Sequence, residues 1–213
     1  MCLRGTWTEN GMFKSVAVTG HTSGIGKGIY EHFESKGVRV KGFSKDTGFD
    51  ISIPENRDRI IELTQDCDLF FNNAYSGYSQ VELAKLWQQQ HWSEQHFIIN
   101  TSSMAAEPLA DIPTNFPWLK PYGEEKYAIN KTSWEINHSG SKCKSIVIMP
   151  GVVQTNFYNP YDTEEQNGME LYQRVMDTNS IITVDDLVNT VDLVLQSING
   201  RNFISSITVL NGY

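Results

Sequence analysis

The sequence predicts an α/β protein, a single doubly wound domain built around a parallel sheet. Short apolar runs alternate with helical patterns along the chain, and this alternation is typical of a parallel sheet with helices on both faces. The first apolar run, 13–18, breaks into a helix over Gly20, Gly24 and Gly26. Such a glycine turn lets the backbone approach a phosphate at the start of a helix, which is typical of a dinucleotide-binding fold.

Each element has its own sequence signal. The predicted strands cover 13–18, 38–43, 68–72, 96–100, 145–149 and 204–210, with at most a brief strand at Ile51, and the predicted helices cover 25–35, 54–63, 80–90, 124–137 and 184–197. Gly37 follows the first helix, Pro54 stands in the first turn of the second, and Thr183 caps the last. Residues 108–121 read as a proline-punctuated loop, and 155–179 as a long polar stretch.

Length and composition narrow the function. The 213 residues suit one domain over 12–213, with residues 1–11 as an upstream extension. A net charge of −8 argues against nucleic acid or an anionic membrane as the main partner. The three cysteines are scattered and lack metal-ligand spacing. We therefore expect the protein to reside in a reducing cytoplasm and to have no metal site. No apolar stretch approaches the length of a membrane span, and no signal peptide is expected.

Five short motifs follow one another at the predicted strand ends. They are Thr19-Gly20-x-x-x-Gly24-x-Gly26, Asn72-Asn73-Ala74, Ser103, Tyr127-x-x-x-Lys131 and Pro150-Gly151. Taken in this order, the series resembles the short-chain dehydrogenase/reductase family across 13–212. Ligands of open α/β sheets lie at the carboxyl ends of the strands, where these motifs fall.

The resemblance implies a catalytic triad of Ser103, Tyr127 and Lys131. Tyr127 and Lys131 are four residues apart on a predicted helix and so share a face. A lysine ammonium beside a phenol lowers the pKa of that phenol, which can then exchange a proton with a carbonyl oxygen. In the family, the serine orients the substrate, and the lysine also contacts the nicotinamide ribose.

Two alternatives remain open within these motifs. Tyr122 and Lys126 form a second Tyr-x-x-x-Lys pair, but Tyr127 is preferred because Asn130 precedes its lysine, where the family has a small or amide residue. Ser103 is preferred to Ser102 because Met104-Ala105-Ala106 follows it, as in the family.

The cofactor contacts are also carried over from the resemblance. They are Gly20, Ser23, Gly24, Ile25, Gly26, Ser44, Lys45, Asp50, Ile51, Asn73, Ala74, Tyr127, Lys131, Pro150, Gly151, Val153 and Thr155. Ser44 and Lys45 stand where NAD-preferring relatives have an acidic residue, and a hydroxyl with a cation suits a 2′-phosphate. NADP(H) is therefore the preferred cofactor, and the neighbouring Asp46 keeps NAD(H) open.

The expected activity is NADP(H)-dependent reduction of a carbonyl, or oxidation of an alcohol, on a small-molecule substrate. The alternatives are a nucleotide-sensing protein with little turnover, and a related epimerase or dehydratase. The chain departs from the family in lacking a clear counterpart of a helix asparagine, and in having Tyr75 where a glycine is usual. The polar run 156–178 is the expected substrate lid. Relatives pair through the helices flanking the strand at 96–100, which allows a homodimer or homotetramer.

Overall fold

The computed structural model describes residues 13–107, 119–155, 181–198 and 203–210. In chain order the elements are β1 (Ser15–Thr19), α1 (Gly24–Ser35), β2 (Arg39–Phe43), α2 (Pro54–Leu63), β3 (Leu69–Asn72), α3 (Ser79–Gln90), β4 (Phe97–Thr101), α4 (Leu119–His138), β5 (Lys144–Pro150), α5 (Val184–Ser197) and β6 (Ser206–Val209). Single 3₁₀ turns cover Lys45–Thr47 and Met104–Ala106.

The six strands form one parallel sheet in the order β2-β1-β3-β4-β5-β6. The chain moves outward from β1 to β2 and then crosses to β3 on the other side of β1. The strand order therefore reverses between β1 and β3, and ligands of open α/β sheets bind at the carboxyl ends of the strands beside such a switch point. This confirms the predicted doubly wound α/β fold.

Each face of the sheet has its own apolar core. Ile29 and Phe33 of α1 pack with Leu187 and Val191 of α5 on one face. On the other face, α2, α3 and α4 cover the sheet, and the indole of Trp87 stacks on the ring of Phe70 at 5.0 Å. Aliphatic and aromatic side chains alternate between the two cores along the strands because successive residues of a strand point to opposite faces.

A buried polar network fixes α4 on the sheet. Asn72 Nδ2 donates to Asn100 Oδ1 at 2.8 Å across β3 and β4. Asn100 Nδ2 donates in turn to the hydroxyls of Ser133 on α4 and Ser145 on β5, both at 3.0 Å. Buried amides and hydroxyls need such partners, so the network sets the height of α4 relative to the strand ends.

Two sequence expectations are wrong in detail. Ile51 forms no strand: it lies buried in a turn in which the Asp50 carboxylate accepts two hydrogen bonds from Ser52, and Pro54 then starts α2. The loop expected over 108–121 ends earlier, because α4 already begins at Leu119 and includes Pro121 in its first turn, where proline is tolerated. Residues 1–12 and 108–118 lie outside the described part of the chain. No helix among the described residues is long and apolar enough to cross a membrane.

Candidate active site

The glycine turn between β1 and α1 is tightly closed. Gly20 has φ +74° and its N–H donates to Phe43 O at 2.7 Å, so the turn is pinned to the end of β2. A Cβ on Gly26 would lie 2.2 Å from the carbonyl oxygen of Gly20, so only glycine fits there. Ser23 precedes α1, and the first turn with Ile25 has no acidic residue, which leaves this helix end suited to a phosphate.

Thr19 joins the glycine turn to the end of β3. Its hydroxyl oxygen accepts hydrogen bonds from the backbone N–H groups of Asn73 at 2.9 Å and Ala74 at 3.0 Å. Asn73 Nδ2 donates back to Thr19 O at 3.1 Å. The structure thus brings two predicted cofactor contacts beside Gly20. The role of Thr19 was missed, although a threonine at the strand end before Gly20 is visible in the sequence.

The segment after β5 reaches the same edge of the sheet. Gly151 N donates to Val209 O at 3.0 Å, next to the pairing of Pro150 with Val209. Val153 is buried and bridges to Ile182. The Thr155 methyl carbon comes within 3.3 Å of where a Cβ on Gly24 would stand. The predicted cofactor contacts that follow β1 and β5 therefore lie close together at the carboxyl ends of the strands.

The two serines after β4 have different environments. The Ser102 hydroxyl is buried and donates to Lys126 O at 3.2 Å. Ser103 is partly exposed, and its hydroxyl oxygen accepts from Ala105 N at 3.2 Å. An oxygen that accepts a hydrogen bond still has its own proton to donate, so Ser103 offers a donor at the sheet edge while Ser102 holds α4.

Tyr127 and Lys131 lie on an open face of α4. Tyr127 is 50% exposed, directly after the residue that Ser102 contacts. The Lys131 side chain is 67% exposed, with its ammonium 3.9 Å from Glu135. On the neighbouring face, Asn130 Nδ2 lies 3.4 Å from Met149 Sδ, next to Pro150. The pair therefore lies on the exposed side of α4, and the neighbouring residues Lys126 and Asn130 contact Ser102 and Met149.

Lys126 is instead enclosed between α3, α4 and β4. It is 3% exposed, and its ammonium donates to Gln80 Oε1 at 2.8 Å and Thr101 O at 2.9 Å. Burial lowers its pKa to about 7, and the charge of Glu125 opposes this shift. Sequence reasoning gave Lys126 only as an alternative catalytic lysine and missed Gln80, since polar residues on a helix do not by themselves reveal a partner on another helix.

Two aromatic rings lie against the ammonium of Lys126. Its ammonium lies 5.0 Å from the ring centroid of Tyr75 and 5.6 Å from that of Tyr122. The two rings meet edge to face at 5.1 Å, and the Tyr75 hydroxyl donates to the Glu125 carboxylate. Tyr75 directly follows Ala74, so this aromatic wall adjoins the end of β3.

The residues that follow β2 have environments that the sequence did not predict. Ser44 is buried and caps the following 3₁₀ turn through contacts with Thr47, whereas Lys45 is exposed, 3.7 Å from the Asp50 carboxylate. Hydrogen bonds from the Ser52 side chain and backbone hold the pKa of Asp50 below its ordinary range. Asp46 Oδ2 accepts from the Thr22 hydroxyl at 2.9 Å, which places an acidic group against the glycine turn.

The predicted lid over 156–178 lies outside the described residues, as does the segment 108–118. What the structure assembles is a sheet edge on which the glycine turn, Asn73, Ser103 and Thr155 converge. The glycine turn and the bare start of α1 fit a dinucleotide phosphate. The hydroxyl after β4, together with the phenol and ammonium in the middle of α4, is a set of groups suited to proton exchange with a substrate oxygen.

Solved structures share this fold. One is the 3-ketoacyl-(acyl-carrier-protein) reductase from Brucella melitensis complexed with NADH, at 17% identity and a TM-score of 0.73, covering 93% of this chain and 97% of the reductase. Another is a short-chain dehydrogenase/reductase of unknown function from Caenorhabditis elegans with cofactor, at 17% identity and 0.70, covering 92% and 93%.

A third is the alcohol dehydrogenase from the archaeon Thermococcus sibiricus complexed with 5-hydroxy-NADP, at 15% identity and a TM-score of 0.68, covering 92% of this chain and 96% of that one. No protein-family model and no curated protein sequence matches the chain. The chain therefore has the fold of short-chain dehydrogenases/reductases, at a level of sequence identity that establishes the fold alone.

Proposed function

We propose that this protein is a short-chain dehydrogenase/reductase that reduces a carbonyl group, or oxidises an alcohol, of a small molecule with NADP(H). The observation that carries the proposal is the location of Tyr127 and Lys131. They lie one helical turn apart on the exposed face of α4, and the adjacent Lys126 and Asn130 contact Ser102 after β4 and Met149 on β5. The related folds crystallised with NADH and 5-hydroxy-NADP support a dinucleotide at this edge.

The residues have separate roles in the proposed reaction. The Ser103 hydroxyl donates a hydrogen bond to the substrate carbonyl oxygen, and the Tyr127 phenol gives that oxygen a proton during reduction or removes it during oxidation. The positive charge of the Lys131 ammonium would stabilise the phenolate formed in that exchange. When bound, the nicotinamide dinucleotide supplies or accepts the hydride. Asn73, Ala74, Pro150, Gly151 and Thr155 would line its nicotinamide end.

The enclosure of Lys126 supports the Tyr127 register over the Tyr122 register. The Lys126 ammonium is already bound by Gln80 and Thr101 O and is 3% exposed, so a nicotinamide ribose could reach it only after those contacts broke. Lys131 is exposed and gives up only an ion pair at 3.9 Å, which is a weak interaction at a protein surface.

The preference for NADP(H) rests on Lys45. Its exposed ammonium, directly after the end of β2, can approach a 2′-phosphate. Asp46, held against the glycine turn by Thr22, favours the free ribose hydroxyls of NAD(H) instead. We propose that Lys45 dominates and that NAD(H) is used less well. A reducing cytoplasm suits the free thiols of Cys67 and Cys143.

One observation favours a second candidate function, a dinucleotide-sensing protein with little turnover. The sequence shows no counterpart of the helix asparagine that supports proton relay in the family, and the Lys131 ammonium lies 3.9 Å from Glu135. Such a protein would bind NADPH without reducing carbonyls. An epimerase or dehydratase with the same triad would convert its substrate without net consumption of the dinucleotide.

The test is NADPH oxidation by the purified chain with a panel of aldehydes and ketones, together with thermal stabilisation by NADP⁺ and NAD⁺. We expect turnover by the wild type, and we expect Tyr127→Phe to abolish it while keeping the stabilisation by NADP⁺. Tyr122→Phe is the matched control and should stay active. NADPH binding without reduction of any compound would contradict the oxidoreductase. An active Tyr127→Phe with an inactive Tyr122→Phe would reverse the register.

A further inference from the structure

We propose that His91, Glu94 and His96 form a binding site for a divalent transition metal, with Zn²⁺ as the best match. The three side chains lie in the turn between α3 and β4, and one ligand atom from each lies within 4.8 Å of the other two. Two imidazoles and one carboxylate are a typical zinc donor set, completed by water. The sequence expectation of no metal site considered only the cysteines.

The two histidines are suited to metal binding by their surroundings. His91 is 3% exposed, and its ring stacks on that of His96 at 4.0 Å. The Glu94 side chain is 72% exposed and can turn toward the two rings.

His96 provides an independent indication of a missing ligand. Within the described residues, its Nδ1 atom is buried and has no hydrogen-bond partner. Its Nε2 atom lies 3.7 Å from the Glu94 carboxylate, which is too long for a hydrogen bond. A buried ring nitrogen without a partner costs free energy, and a metal ion bound by that nitrogen would give it a partner.

To bind a metal, the three side chains would have to rotate until their ligand atoms lie closer together. The rings of His91 and His96 now stack at 4.0 Å with an angle of 27° between them. Zinc bonds of about 2.0–2.2 Å in a tetrahedron bring ligand atoms to about 3.3 Å from one another. The backbone of the turn is already held, since Lys142 N donates to Trp92 O at 3.0 Å and Lys144 N to His96 O at 2.9 Å.

The site lies at the amino-terminal edge of the sheet, before β4, whereas Ser103 follows the carboxyl end of the same strand. Its metal would join the end of α3 to the start of β4 and so stabilise the fold without entering the reaction at the opposite edge. The inference therefore does not depend on the proposed oxidoreductase activity.

The test is titration of the untagged full chain with Zn²⁺ in competition with a chromophoric chelator, and with Co²⁺ followed by visible absorption. We expect one equivalent to bind, with a tetrahedral Co²⁺ spectrum and a rise in Tm on adding Zn²⁺. Glu94→Gln should weaken Zn²⁺ binding about tenfold and His96→Gln about a hundredfold. His138→Gln, an exposed histidine on α4, is the matched control and should bind like the wild type.

Three results would overturn the site. The first is the absence of saturable binding near one equivalent. The second is an unchanged Zn²⁺ affinity in His96→Gln. The third is a thiolate-to-Co²⁺ charge-transfer band, because it would assign the metal to a cysteine. Glu94→Gln keeps the shape of an exposed side chain, so a loss of affinity in that variant cannot be ascribed to unfolding.

Discussion

The hydroxyl of Ser102 donates a hydrogen bond to the backbone carbonyl oxygen of Lys126, with the two oxygens 3.2 Å apart. This contact joins the end of β4 to α4 at the residue before Tyr127. The adjacent Ser103 keeps its own hydroxyl proton for another acceptor. The two neighbouring serines thus have different roles: Ser102 positions α4, and Ser103 is available to a substrate.

The first prediction separates these two roles. Ser102→Ala should lower the free energy of unfolding by about 1 kcal/mol, because a buried hydrogen bond is lost. Ser103→Ala should cost less than about 1 kcal/mol but should lower kcat about a hundredfold, since a donor to the reacting oxygen is removed. Urea unfolding and turnover of both variants measure this. A folded but inactive Ser102→Ala beside an active Ser103→Ala would exchange the two assignments.

The second prediction concerns the pH dependence of stability at Lys126. Its pKa is about 7 in the folded chain against an ordinary 10.5, because it is fully buried. Between these two values the unfolded chain binds the extra proton, so the contribution of Lys126 makes the protein more stable as pH rises from about 7 toward 10.5. Below pH 7 both states are protonated and the full cost of the buried charge remains.

The measurement compares wild type with Lys126→Met by urea unfolding across that range. The difference in unfolding free energy should change by up to about 1.4 kcal/mol per pH unit, moving in favour of the wild type as pH rises. Lys131→Met is the control, because the Lys131 side chain is exposed. Parallel stability curves for wild type and Lys126→Met would show that the ammonium remains solvated in the folded state.

Local patterns in the sequence were enough to predict the sheet and the glycine turn at its edge. Apolar runs predicted all six strands, and the glycine spacing predicted the turn that the structure closes around Gly20 and Gly26. The apolar Ile51 suggested a further brief strand, but a single apolar residue between Asp50 and Pro54 packs equally well in a turn. Burial alone does not distinguish the two.

Contacts between distant segments were beyond the sequence. Lys126 meets Gln80 across 46 positions, and Asn72 meets Asn100 across 28. A polar residue carries no sign of its partner until the fold brings the two together, so the enclosure of Lys126 could not be predicted from the sequence. The contact between His91 and His96 was likewise not predictable, because nothing in the sequence of the turn between them indicates that their rings stack.

The third prediction tests the cofactor preference at the end of β2. Lys45→Ala should raise KM for NADPH about tenfold and leave KM for NADH unchanged, because a charge-assisted contact to the 2′-phosphate is lost. Asp46→Asn should lower KM for NADPH, since a carboxylate beside the glycine turn is neutralised. Lys85→Ala, which removes an exposed lysine of α3, is the control. Equal changes for both dinucleotides in Lys45→Ala would remove Lys45 from phosphate recognition.

The fourth prediction concerns the close approach within the glycine turn. In Gly26→Ala the new methyl group would lie 2.2 Å from the Gly20 carbonyl oxygen and 2.7 Å from Asn73 Nδ2. Because the carbonyl is backbone, the turn must open. We expect loss of stabilisation by NADP⁺ in a thermal shift measurement, with a lower Tm for the variant itself.

Gly37→Ala is the matched control for that variant. Gly37 has φ +72°, but a Cβ there meets nothing within 4 Å, so the substitution introduces backbone strain of about 1–2 kcal/mol without a clash. It should lower Tm while NADP⁺ still stabilises the variant as it does the wild type. If Gly26→Ala retained that stabilisation too, the dinucleotide would not depend on the turn between β1 and α1, and the phosphate site would have to lie elsewhere on the sheet edge.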